Sequence, residues 1–267
     1  MIRLAIAGVC GRMGRTVAEL TVRDSRFEIV AGLTIPGDPL VGKALQVADR
    51  EVPVLLEPPA AVGTGELALR PCDVLIDFTV ADGTMRWLDY CERRQIPMVI
   101  GATGHDDKQL ERIREAAHQI PIVKATNFSP GIHAILNAVA QLVRDLGPEY
   151  DIEIVETHHR HKVDAPSGTA HTILEAIQQA RRDGGPVVFG RHGRTGERRP
   201  GEIGVHAVRM GEHVGQHEIH VSGPGETITL RHTAHSRETF AAGALRAAAW
   251  LVSKPAGFYT MRDVLRQ

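Results

Sequence analysis

The chain has 267 residues, 43% hydrophobic and 24% charged, with 31 Lys and Arg against 32 Asp and Glu for a formal net charge of −1. That composition suits one large or two modest folded domains, each able to bury a core, and it excludes disorder over most of the chain. The balanced charge excludes a broad basic nucleic-acid surface, and no apolar run approaches the ~18 residues of a membrane span, so neither nucleic acid nor membrane is an expected partner.

The start, Met1-Ile2-Arg3-Leu4, runs straight into a strand pattern without room for a signal peptide. Cys10, Cys72 and Cys91 form neither an even set nor a metal-ligand spacing, which points to the reducing cytoplasm and to no metal.

Ile2, Leu4 and Ile6 alternate over residues 2–8, Gly8 opens a turn, and Met13, Val17 and Leu20 follow at helical spacing. A second strand runs from Phe27 to Leu33 and ends at Thr34, ahead of a loop holding Pro36, Gly37, Asp38 and Pro39. Further strands are expected over Asp73–Thr79, Pro97–Gly101 and Ile120–Ala125, with helical patterns around Trp87–Arg94 and Lys108–Gln119. Strands alternating with helices predict a parallel sheet covered on both faces.

From Ser129 the pattern changes. Ile132, Ile135, Leu136, Val139, Leu142 and Val143 mark one helix face ending near Gly147-Pro148, a strand follows over Ile152–Glu156, and a helix runs through Ile173, Leu174 and Ile177. Four short strands are expected at Val187–Phe189, Ile203–Arg209, Gln216–Val221 and Thr227–His232, which predicts an open mixed sheet with helices on one face. Phe240–Val252 is a final apolar-striped helix, placed to return to the first domain.

Gly8-Val9-Cys10-Gly11-Arg12-Met13-Gly14 falls between the first strand and the first helix. Glycines there let the backbone turn sharply and approach a pyrophosphate, whose charge the helix N-terminus favours. The competing reading is a turn whose glycines serve packing alone. Arg12 and Arg15 add positive charge at the helix start. Where a dinucleotide-binding domain places an acid for the ribose diol, Thr34 and Ile35 stand, and the nearest acid, Asp38, is several residues further on. Nothing at Thr34 then repels a 2′-phosphate, and NADPH is expected to serve at least as well as NADH.

Of the 14 histidines, 11 lie between His158 and His235. The segment Glu156 to Thr169 gathers three of them with Arg160, Lys162 and a helix start at Ser167-Gly168-Thr169. Imidazoles titrate near neutrality, a lysine attracts a carboxylate, and free N–H groups at a helix start bind anions, so proton transfer on an anionic substrate fits. A zinc-dependent hydrolase is the sharper competitor, although no cysteine or regularly spaced acid completes a tetrahedron. Ser167 lacks a nucleophile-elbow sequence and reads as a helix cap. A non-catalytic dinucleotide-binding protein would have no use for both His158 and Lys162.

His158-His-Arg-His-Lys-Val-Asp-Ala-Pro-Ser-Gly-Thr-Ala170 resembles the signature of the 4-hydroxy-tetrahydrodipicolinate reductase (dihydrodipicolinate reductase) family of the diaminopimelate and lysine pathway. Gly8–Gly14, Ile76–Thr79, Gly101–Gly104, Asn127–Ser129, Arg194–Arg198 and Met261–Leu265 extend the likeness over the whole chain. The resemblance implies an α/β chain with an N-terminal doubly wound, Rossmann-type parallel sheet and a second α+β domain on an open mixed sheet. Residues 1–126, with 237–267 returning, form the implied dinucleotide-binding domain, and 127–236 the substrate-binding and oligomerisation domain.

It also implies that Gly8, Val9, Cys10, Gly11, Arg12, Met13, Thr34, Phe78, Gly101, Ala102, Thr103, Ala125, Thr126, Asn127 and Phe128 line a site for NADPH, NADH or both. His158 would exchange a proton and Lys162 would be a second proton donor, while His159, Ser167, Gly168 and Thr169 hold a small cyclic dicarboxylate. A homotetramer through the second domain, with the loop Val163–Pro166 moving as the domains close, completes the expectation.

Overall fold

A computed structural model describes residues 1–35, 37–56, 71–181 and 184–266. Pro36, part of the expected loop after the second strand, lies outside the described residues. The chain divides into two compact units, Met1–Phe128 with Arg237–Gln267, and Ser129–Ser236.

The first unit runs β1 (Ile2–Ala7), α1 (Arg12–Val22), β2 (Phe27–Thr34), β3 (Ala44–Val47), β4 (Arg50–Leu56), β5 (Val74–Asp77), α2 (Ala81–Arg94), β6 (Met98–Ile100), α3 (Asp107–Ala116) and β7 (Pro121–Lys124). The second holds α4 (Pro130–Leu146), β8 (Asp151–His158), α5 (Gly168–Ala180), β9 (Val187–Phe189), β10 (Ile203–Arg209), β11 (Gly215–Gly223) and β12 (Glu226–Ala234). The first unit is completed by α6 (Glu238–Leu251), β13 (Gly257–Tyr259) and α7 (Met261–Leu265).

Its sheet has the order β13-β7-β6-β5-β1-β2-β4-β3, parallel except for the antiparallel β3–β4 pair. The order reverses at β1, the doubly wound arrangement whose ligands bind at the carboxyl ends of the strands. Two apolar clusters cover the two faces, one joining Leu4, Ile6 and Ile76 to α6, the other joining Ala5, Leu75 and Ile100 to Trp87 and Ile113. Because both faces are buried, the central strands read as continuous apolar runs such as Val74-Leu75-Ile76.

In the second unit the order is β12-β11-β8-β10-β9, with β8–β10 and β10–β9 parallel and β11 antiparallel to both neighbours. Val139 and Val143 of α4 and Ile173 and Ile177 of α5 pack with Ile152, Ile154, Val205 and Ile219 on one sheet face.

Five elements depart from the sequence reading. β3, β13 and α7 are too short for a periodic signal, and β4 hides its alternation, buried Val52 and Val54 on either side of Pro53, behind that proline. α2 begins at Ala81, six residues before Trp87, although Ala-Asp-Gly-Thr is a weak helical start. Buried Asp77 holds that turn: the Thr84 hydroxyl donates to its Oδ2 at 2.5 Å, and the Thr79 N–H and hydroxyl donate to its Oδ1 at 2.8 and 2.6 Å.

Candidate active site

β1 ends at Ala7 and the chain turns through Gly8, whose φ of +78° is a conformation L side chains avoid. A Cβ at Gly8 would lie 2.7 Å from the Phe78 carbonyl oxygen, and one at Gly14 only 2.1 Å from that of Gly8. Packing therefore demands both glycines. Gly11 has a different role: it caps α1 with no side-chain hydrogen bond, and no acid occupies the first turn. The leading N–H groups of α1 are thus free of any capping side-chain oxygen, and this donor set suits a pyrophosphate. Arg12 is exposed beside them, and Cys10 and Met13 are half-buried. Val9 is fully buried against Gly32 and can offer a ligand only its backbone.

Phe78, Gly101 and Ala125 directly follow β5, β6 and β7 at the carboxyl ends of the strands. The Gly101 N–H donates to the Asp77 carbonyl at 2.8 Å and the Ala125 N–H to that of Ile100 at 3.1 Å, tying these positions into one rim. Gly101 cannot be larger, since a Cβ would stand 2.3 Å from Phe78 Cε1. The Phe78 ring meets Phe128 edge-on, with centroids 5.8 Å apart. Ala102, Ala125 and Phe128 are buried, Asn127 is half-buried, and Thr103 and Thr126 are exposed. An uncapped helix start at the carboxyl ends of the strands, beside a rim of small residues at Gly101, Ala102 and Ala125, fits a dinucleotide.

At the end of β2 the sequence reading needs correction. Thr34 is buried, and its hydroxyl donates to Asp38 Oδ2 at 2.9 Å. Asp38 Oδ1 accepts the Leu40 N–H at 2.9 Å. The loop folds back, so the strand end that lacks an acid in sequence has one in space.

In the second unit, Glu156 and His158 are two residues apart on β8 and share the face that packs on the helices. Glu156 is fully buried and its Oε2 lies 2.5 Å from His158 Nδ1. Arg209, the register partner of His158 on β10, donates to both carboxylate oxygens at 2.7 and 2.8 Å, and the Ser167 N–H donates to Oε1 at 2.9 Å. Burial alone would push the Glu156 carboxyl up, but the bonds from His158 and Arg209 outweigh it and hold it at about 2. An ionised acceptor obliges His158 to carry its hydrogen on Nδ1, which leaves Nε2 outside that bond. That nitrogen lies over Gly215, where a Cβ would approach it to 3.1 Å.

The Arg209 guanidinium also donates to the Asp164 carbonyl at 2.6 Å, and Lys162 Nζ pairs with Asp164 Oδ1 at 2.9 Å. The loop carrying Lys162 is thereby fastened to the same carboxylate that orients His158. Ser167 caps α5 by accepting the Ala170 N–H, and its Oγ is 3.2 Å from Nε2 of His217. Burial, reinforced by neighbouring His158, pushes the His217 ring down to about 3, so it stays neutral. No acid occupies the first turn of α5, and a Cβ added at Gly168 would meet nothing within 4 Å. Thr169 is buried behind it, and Val163, at 98% exposure, is the apolar tip of the loop.

The histidines do not converge as metal ligands. His158 is committed to Glu156, His217 to Ser167, and the His159 and His161 rings stand 6.2 Å apart. Among the described residues no group of three or more His, Cys, Asp or Glu side chains is placed to hold a metal ion. Sequence reasoning had missed Arg209 and His217 and had not given Glu156 a role. Only Glu156 left a signal, its i, i+2 spacing from His158 on a strand.

A doubly wound sheet with a glycine turn, joined in one chain to a buried carboxylate–imidazole pair beside an open helix start, defines a dinucleotide-dependent oxidoreductase. Residues 2–128 match the family model for the dihydrodipicolinate reductase N-terminus, and residues 131–265 that for its C-terminus. The chain is 44% identical to the 4-hydroxy-tetrahydrodipicolinate reductase of Thiobacillus denitrificans, over 99% of this chain and 98% of that one. To the same enzyme of Myxococcus xanthus it is 41% identical, with the same coverage. A dipicolinate-bound dihydrodipicolinate reductase from Paenisporosarcina superposes with a TM-score of 0.74 at 27% identity, covering 97% of both chains. The chain therefore belongs to the dihydrodipicolinate reductase family. Its reaction is the nicotinamide-dependent reduction of 4-hydroxy-tetrahydrodipicolinate to tetrahydrodipicolinate in diaminopimelate and lysine biosynthesis. Family membership sets aside the hydrolase and the non-catalytic readings.

Proposed function

We propose that in this reaction the second unit binds the cyclic dicarboxylate at the start of α5 and that His158 protonates it. The observation that carries this reading is the 2.5 Å bond from buried Glu156 to His158 Nδ1, which leaves Nε2 to exchange a proton. A reduced nicotinamide held by the first unit would supply the hydride that adds at C4 of the substrate ring. Loss of the 4-hydroxyl as water precedes that addition and creates the conjugated C3=C4 bond, and the enamine left afterwards takes its proton at C3 from His158. Lys162 assists loss of the hydroxyl and offsets negative charge as it develops. The start of α5 at Gly168 and Thr169, with the side chain of His159, holds a carboxylate.

The first unit binds the dinucleotide through backbone groups of Gly8–Met13 and through the rim Phe78, Gly101–Thr103 and Ala125–Phe128, with Arg12 toward a phosphate. A homotetramer through the second unit is what the family resemblance implies; within one chain the sheet's apolar cluster with α4 and α5 lies on one face. The opposite face carries polar groups such as Glu153 and His206, joined at 2.7 Å. A cytoplasmic location agrees with three free cysteines, and no helix of the described residues is long and apolar enough to cross a membrane.

Lys162→Met tests the substrate side: turnover should fall and calorimetric affinity for pyridine-2,6-dicarboxylate should weaken, while affinity for the reduced dinucleotide stays unchanged. Near-normal turnover in that variant would remove Lys162 from the mechanism.

A further inference from the structure

The loop between β2 and β3 is shaped around one carboxylate. Asp38 receives the buried Thr34 hydroxyl at 2.9 Å on Oδ2 and the Leu40 N–H at 2.9 Å on Oδ1. The end of β2 is in turn tied to the glycine turn, because the N–H groups of Gly8 and Val9 both donate to the Leu33 carbonyl, at 2.9 and 3.2 Å. The Leu40 N–H first, then the Thr34 hydroxyl, hold the Asp38 carboxyl below its ordinary range, with smaller contributions from Cys10 and Arg15. Those neighbours put Asp38 beside the turn that takes the pyrophosphate. Asp38 remains partly exposed, and the Leu40 N–H, the Thr34 hydroxyl and the Cys10 thiol do not exhaust the acceptor capacity of its two carboxylate oxygens. Ile35, next to Thr34, is apolar and 56% exposed, and so brings no cation for a phosphate.

We propose that Asp38 selects the cofactor: it accepts the 2′-hydroxyl of the adenosine ribose and repels a 2′-phosphate, so this chain prefers NADH to NADPH. The proposal rests on the first unit being the dinucleotide site. It reverses the expectation drawn from Thr34 alone, since the acid absent from position 34 is restored by a loop residue that uses Thr34 as its anchor. A diol donates to a carboxylate in a charge-assisted bond, whereas a phosphate brings like charge to the same spot. Arg12 and Arg15 are the cations near the turn; Arg15 donates to the Cys10 carbonyl at 3.3 Å, and its charge also reaches Asp38, where it is the smallest of the influences on that carboxylate.

The test is equilibrium binding of NADH and NADPH to the purified full chain by fluorescence titration, in wild type, Asp38→Asn and Thr34→Val, with 5′-ADP and 2′,5′-ADP as probes that need no turnover. The wild type should bind NADH at least about tenfold more tightly than NADPH, and 5′-ADP more tightly than 2′,5′-ADP. Asp38→Asn keeps the bond to Leu40 while losing the charge, and should shrink that preference about tenfold, chiefly by tightening NADPH. Thr34→Val should shrink it less, by loosening the carboxylate. A wild type that favours NADPH, or a preference unmoved by Asp38→Asn, overturns the assignment to Asp38. Failure of both dinucleotides to bind would instead overturn the reading of the first unit.

Discussion

Glu156 holds His158 by a 2.5 Å hydrogen bond between residues that are neighbours on one face of a single strand. Strand periodicity alone brings the two side chains together, and the parallel register places Arg209 of β10 beside His158 to supply the countercharge. The His158 ring is thus oriented by a carboxylate that is itself saturated by Arg209 and the Ser167 N–H.

Glu156→Gln keeps the size of the side chain and removes the charge that fixes the His158 tautomer. Turnover should fall by about a hundredfold and the pH profile of kcat should change shape, with the affinity for the dinucleotide retained. Glu156→Asp should recover part of the loss. An unaltered kcat profile in Glu156→Gln would show that the bond is structural only.

Acid sensitivity follows from two carboxylates. Burial disfavours ionised Glu153 and Glu156, yet the bonds from Arg191, His206 and Arg198 to the first, and from His158 and Arg209 to the second, hold both at about 2 against 4.5 for a free glutamate. A folded-state value below the unfolded one means the stabilisation is complete above about pH 4.5 and is lost as pH falls towards 2, by a few kcal/mol in all. Urea midpoints measured stepwise over that window should fall steeply in wild type and less steeply in Glu153→Gln. Equal slopes would contradict the assignment.

At Gly168 an added methyl meets no protein atom within 4 Å, so Gly168→Ala should leave the melting temperature unchanged or raise it slightly. A bound carboxylate would feel that methyl, and KM for the substrate should rise. Thr169→Val should likewise raise KM more than it lowers kcat, as loss of uniform binding does. Steady-state kinetics separate these outcomes; unchanged KM in both variants would move the carboxylate site away from α5.

Gly215→Ala addresses the ring from below. Its Cβ would come to 3.1 Å from His158 Nε2, close enough to displace the imidazole by a few tenths of an ångström. Turnover should drop by about tenfold, the effect of a misplaced catalytic group, with the fold retained by circular dichroism. Wild-type turnover would show that Nε2 does not need its present position.

Much of this was legible in the sequence because it depends on local pattern. Gly8 to Gly14 announced a turn between strand and helix, and Ser167-Gly168-Thr169 a helix start, through backbone requirements that one segment states by itself. Arg209 and His217 were not legible: each reaches the site by strand register, 53 residues from Glu156 and 50 from Ser167. Asp38 was seen in its loop but its return to Thr34 was not, because that return is set by two hydrogen bonds that no periodicity encodes. β3 and β4 escaped for a similar reason, their pairing being a tertiary property of short segments.

The decisive measurement is the turnover of His158→Gln with 4-hydroxy-tetrahydrodipicolinate, taken together with its dissociation constant for the reduced dinucleotide. If the Nε2 that Glu156 leaves free delivers the proton, kcat falls by about 10²- to 10⁴-fold while the dissociation constant stays within about twofold of wild type. Turnover within about twofold of wild type would contradict it and place the proton donor elsewhere.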